Sequence, residues 1–163
     1  MPNELEIIDQ VIAQHKIVRL NLQGVETSLT DFDALFNLQR AQSSWAQSSV
    51  ENLQSQKKQL EESLSRVQKG LSGHFTWEEE VLPPLFGDVL MKGLLAVHSE
   101  IRQQLEKTVA LMDIPEIEKM EQKDLVAQRS RLHEATAALG RMVEAHATLE
   151  EQILDMMRKG FQG

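Results

Sequence analysis

His74-Phe75-Thr76-Trp77-Glu78 sets a histidine and a glutamate four residues apart. On an α-helix that spacing puts both side chains on one face, one turn from each other, where they can ligate the same dinuclear metal centre. The pattern recurs once, as His146-Ala147-Thr148-Leu149-Glu150, and each pair is preceded by a lone histidine, His15 or His98, in a separate helical segment. The order is therefore His, His-x-x-x-Glu, then His, His-x-x-x-Glu again. It reads as four helices supplying four imidazoles and two carboxylates (His15, His74, Glu78, His98, His146 and Glu150) to two metal ions.

Outward from His74, the same helix carries an apolar seam at Val50, Leu53, Leu60, Leu64, Val67 and Leu71, with Lys57 as its polar member. His74 and Glu78 are the next two seam positions, so the metal pair continues a hydrophobic stripe over a helix expected from about residue 45 to 82. Before it, Asn3 is a plausible N-cap for a first helix ending near Leu29. That helix has Ile8, Val11, Val18, Leu22, Val25 and Leu29 on its inner face, and His15 fills the gap in the series. Thr30-Asp31 reads as a break and a new cap, followed by a short helical piece with Phe32, Leu35, Phe36 and Leu38, then by the Gln/Ser-rich passage Gln42 to Ser49. After the second helix, Pro83-Pro84 stop it and Gly87 lets the chain turn.

The third helix, roughly 88 to 112, has the seam Met91, Leu94, His98, Ile101 and Leu105. Asp113-Ile114-Pro115 breaks the chain, and a short charged piece leads to the fourth helix. Its seam is Leu125, Arg129, Leu132, Thr136, Leu139, Val143, His146, Glu150, Ile153 and Met157. At about 1.5 Å of rise per residue, Glu78 and His98 fall within two turns of each other from the Pro-Pro end. The expected architecture is all-α: an elongated antiparallel up-down-up-down four-helix bundle, a single domain over 1–163, with its site near the end closed by Pro83 and Pro84.

Composition agrees with this reading. Few aromatics, no tyrosine and only four prolines favour helices, and no cysteine means that any metal must be held by nitrogen and oxygen. A net charge of −8 without a Lys/Arg cluster argues against nucleic acid and anionic membrane as partners. No apolar run suggests a membrane span, and the start lacks a basic signal region, so the expected location is cytoplasmic. His133 lies one step off the fourth seam and reads as exposed or satisfied. The methionines read as core filler, Phe75 and Trp77 as packing, and Glu79, Glu80 and Glu151 as solvated or supporting the site.

His74-Phe75 with Glu78-Glu79 and a following Pro-Pro, together with His15, His98 and His146-x-x-x-Glu150-Glu151, resembles the hemerythrin-like (HHE cation-binding) family over essentially the whole chain. The resemblance implies a hemerythrin-like bundle around two non-haem iron ions, other divalent metals being alternatives. Glu78 and Glu150 would bridge them, His15 and His74 would bind one ion, His98 and His146 the other, and an oxo or hydroxo group would complete the centre. The chain departs from oxygen-carrying hemerythrins in three ways. Leu94 and Arg102 stand where a second third-helix histidine would, Glu150 replaces an aspartate one residue later, and the His15–His74 interval is longer. It therefore resembles a wider six-ligand branch.

The expected function is binding or sensing of dioxygen, a related small ligand or iron itself, in an apolar pocket lined by Leu71, Leu94, Leu95, Leu139 and Val143. An oxidase- or peroxidase-type di-iron enzyme is the alternative of a different class, to be told apart by turnover of a reductant or peroxide. A metal-free helical interaction module is a third, disfavoured by polar residues on the seams. No protein partner is legible.

Overall fold

Asn3 caps the first helix reciprocally: its side-chain oxygen accepts from the Glu6 amide at 2.9 Å, and the Glu6 carboxylate accepts from the Asn3 amide at 3.0 Å. The computed structural model describes residues 3–40, 47–112 and 121–163, with side chains outside 38–50 and 122. Helix α1 spans Glu4–Arg40, α2 Gln47–Val81, α3 Pro83–Ala110 and α4 Gln122–Gln162. Trp45, most of the Gln/Ser-rich passage, the Asp113-Ile114-Pro115 break and the charged piece up to residue 120 lie outside the described residues. So do the side chains of Leu38 and Val50.

The expected break at Thr30-Asp31 is absent, and α1 runs straight through it. The Thr30 hydroxyl donates to the Glu26 carbonyl one turn back at 2.9 Å, so it makes no competing cap. Phe32 and Phe36 then extend the buried stripe of Val25 and Leu29 at the same three-four spacing. At the other end, Pro83 and Pro84 occupy the first positions of α3, where their missing amides cost nothing. Gly87, at φ 72° and ψ 177°, interrupts that helix one turn in, in a backbone region reserved almost entirely for glycine. The regular part of α3 therefore starts at residue 88, as the sequence suggests. Where α3 ends, Gln128 of α4 donates to the Leu111 carbonyl at 2.7 Å.

Each helix packs on two neighbours, α1 on α2 and α4, α3 on α2 and α4, giving a square antiparallel bundle. Its interior is layered. Phe32, Phe36, Leu53 and Leu125 fill the end far from the prolines. A long central cluster follows, including Val18, Leu29, Leu64, Leu71, Phe75, Ile101, Leu139 and Val143. Ile8, Val11, Leu82, Phe86, Leu94 and Leu154 fill the proline end. On every helix the metal-ligand candidates fall between the last two clusters: His15 between Val11 and Val18, His98 between Leu94 and Ile101, the two pairs likewise on α2 and α4. Among the described residues no single helix is long and apolar enough to cross a membrane.

Candidate metal centre

All six side chains singled out by spacing are buried and meet in one polar layer. Their donor atoms form two groups, His15, His74, Glu78 and Glu150, and Glu78, His98, His146 and Glu150, each with atoms within 4.8 Å of one another. Both carboxylates belong to both groups. His15 Nε2 lies 3.4 Å from Glu78 Oε1 and 3.1 Å from Glu150 Oε1. His98 Nε2 lies 3.1 Å from Glu78 Oε2 and 3.2 Å from His146 Nε2, and His146 Nε2 lies 3.2 Å from Glu150 Oε2. His74 Nε2 points at Glu78 Oε1 one turn along α2.

These separations fit a shared ion. Donor atoms about 2.1 Å from one metal sit roughly 3 Å apart. His15 Nδ1 and Nε2, His74 Nε2, Glu78 Oε1 and both Glu150 oxygens are buried without a hydrogen bond. Atoms that converge on a point while failing to bond each other are what ligands look like, and orphaned buried carboxylate oxygens would otherwise cost several kcal/mol.

The outer nitrogens fix which way the rings face. His74 Nδ1 donates to Gln14 Oε1 at 2.6 Å, and His98 Nδ1 donates to Glu79 Oε1 at 3.0 Å. His15 Nδ1 faces Glu151 Oε1 at 3.4 Å. Because those oxygens only accept, Nδ1 of His74 and of His98 carries a proton, and Nε2 is the atom each ring turns inward. Each glutamate is itself clamped: Arg102 donates to both Glu79 oxygens at 2.9 and 3.4 Å, and Arg19 grips Glu151 and Glu144. Phe75 supports His98 from the other side, its ring stacked at 3.9 Å between centroids, with Arg102 over the Phe75 ring.

In the metal-free site the charges balance one another. Burial alone would depress His15 and His146, but contacts with Glu150 and Glu78 outweigh it and raise each to about 9. Burial alone would raise Glu78, but four facing imidazoles hold it far below the usual carboxylate range. Glu79 is lowered because Arg102 and His98 outweigh its burial, and Glu151 is lowered first by Arg19.

The spacing argument thus brought together the six residues the structure brings together, and it set His133 aside, which is 42% exposed and paired with Asp33. It did not find Gln14, Arg19 or Arg102. Each carried no more than a positional signal: Gln14 is beside His15, Arg19 one turn after His15 and Arg102 one turn after His98. The expected apolar pocket is corrected. Leu95 points outward at 46% exposed, one step off its seam, and Leu139 is sealed in the central cluster. Leu71 and Val143 border only a gap of about 10 Å³ beside His15 and His74. Leu94 instead lines a cleft of about 210 Å³ between α3 and α4 that reaches His146 and Glu150.

A model of the hemerythrin HHE cation binding domain matches residues 6–154. No curated protein and no solved structure matches the chain.

Proposed function

The chain belongs to the hemerythrin HHE cation-binding family, and from that membership we propose that it holds a pair of non-haem iron ions and binds or senses dioxygen, or a related small ligand, at them. The observation that carries this reading is the pair of buried four-residue groups that share Glu78 and Glu150. His15 and His74 would bind one ion, His98 and His146 the other, and the two carboxylates would span both. Such ions would supply one-electron redox chemistry and a vacant position for a small ligand.

The protein's own part is to prepare the place. Four neutral imidazoles add no charge, so the two carboxylates set the electrostatic balance and each offsets charge at both positions. Gln14 and Glu79 hydrogen-bond the outer nitrogens of His74 and His98, Glu151 faces that of His15, and the inner nitrogens aim at the layer. Apolar clusters above and below exclude water from it. Anaerobic reconstitution with ferrous iron followed by elemental analysis tests the reading: about two irons per chain are expected, one per group, with near-ultraviolet absorption that changes on exposure to dioxygen. Substantially less than one metal per chain overturns it.

A further inference from the structure

Eight large apolar side chains are exposed among the described residues, and four of them gather on one face of the bundle. Val89 and Leu90, 85% and 41% exposed, flank the α3/α4 cleft from one side, and Leu149, 57% exposed, flanks it from the other. Ile153 continues the α4 side, and Met156, 70% exposed, follows at three-residue spacing on the same face. No lysine, arginine or aspartate lines the cleft, and its one glutamate, Glu150, is buried.

The bundle itself makes no use of this stripe. Helix α4 buries its inner seam of Leu139, Val143, His146, Glu150 and Leu154, while Leu149 and Met156 fall outside it, at the spacing by which one helix forms a ridge against others. The matching groove is on the same face: the cleft holds about 210 Å³, and a Cβ built on Gly93 in its lining meets nothing within 4 Å. A face that carries both ridge and groove can pair with a copy of itself, each α4 ridge lying in the other cleft about a twofold axis. It offers no exposed charge in the cleft by which to select an unlike partner. The areas agree. The four side chains expose on the order of 300 Å² of apolar surface. An interface of standard size takes about 800 Å² from each partner, a little over half of it apolar. Together with the partly buried Ile153 and Val97, the stripe supplies most of that apolar share.

We propose that the α3/α4 face is the surface through which two copies of this chain associate, with Val89, Leu90, Leu149 and Met156 buried between them. The contact needs no metal and stands whether or not the polar layer holds one.

Sedimentation equilibrium reads the particle mass directly, and two chains per particle are expected for metal-free and zinc-loaded protein alike. Val89→Glu and Met156→Lys lie outside the polar layer. Each is expected to weaken the association about 10- to 100-fold with the helical circular dichroism unchanged, because the new charge would lose its hydration against the partner's apolar side chains. Leu20→Glu, at an exposed position of α1, is the control and is expected to stay paired. A readout without mutation is hydrogen exchange on dilution, which should rise in residues 86–97 and 149–156 and not around Leu20. A parent that stays a single chain up to millimolar concentration leaves the face to some other occupant and overturns the proposal. A pair that survives both charge variants, a pair that Leu20→Glu splits, or exchange that changes on dilution only around Leu20 overturns it as well.

Discussion

Two arginines near the surface act on buried histidines through a glutamate each: Arg102 through Glu79 on His98, Arg19 through Glu151 on His15. Removing the middle member frees the ring to turn or to change tautomer. Glu79→Gln or Gln14→Leu is therefore expected to weaken metal affinity about 10- to 100-fold with the helical circular dichroism unchanged, as measured by competition with a chromophoric chelator. Glu78→Ala, which removes a carboxylate common to both groups, is expected to lose both ions, whereas His133→Ala keeps them because His133 serves only Asp33. Iron loss from the His133 variant equal to that of the Glu78 variant would contradict this assignment. The pH response has a defined sign. His15 and His146 are raised to about 9 in the metal-free protein from an ordinary 6.5, so the stability they contribute is complete below 6.5 and is lost as pH rises through 9. The metal-loaded protein should respond in the opposite sense over the same window, because binding requires those imidazoles deprotonated. Thermal melts of both forms between pH 6 and 9.5 check the crossing trends.

Among the elements, the helices were legible because each seam keeps one period over its length, and the six candidate ligands sit on that period. The misreadings have physical causes. Thr30-Asp31 has the composition of a cap, but a threonine hydroxyl can equally bond the carbonyl one turn back, and only the buried Phe32 and Phe36 show which option the chain took. Leu95 follows Leu94 in sequence but lies about 100° further around the helix, so adjacency was a poor guide to what it faces. The roles of Arg19 and Arg102 were illegible despite their place one turn after a histidine, because their partners come from other helices. Gly87→Ala is expected to cost about 1–3 kcal/mol, since alanine strains at φ 72° and ψ 177°. Phe36→Ala, in the far cluster, is expected to cost about 3–5 kcal/mol while leaving metal content unchanged. Urea titration with parallel metal analysis separates the two effects.

At the scale of the molecule, the polar layer separates the central from the proline-end apolar cluster. Ligand binding to the folded state alone stabilises by RT ln(1 + [L]/Kd), about 3 to 4 kcal/mol at a hundred- to thousand-fold saturation. Hydrogen exchange should therefore show added protection near His15, His74, His98 and His146 on metal binding, and little around Leu53 and Leu125. A uniform change along all four helices would refute a localised site. The sharing of Glu78 and Glu150 also orders events in time. The group containing His15 and His74, both from the first half of the chain, lacks Glu150 until α4 has packed, and the group on α3 and α4 lacks Glu78 without α2. A chain in which α4 has not yet packed thus assembles neither four-residue group. Metal capture is therefore expected to wait for the docking of α4, and a folding intermediate without that helix should not sequester the metal.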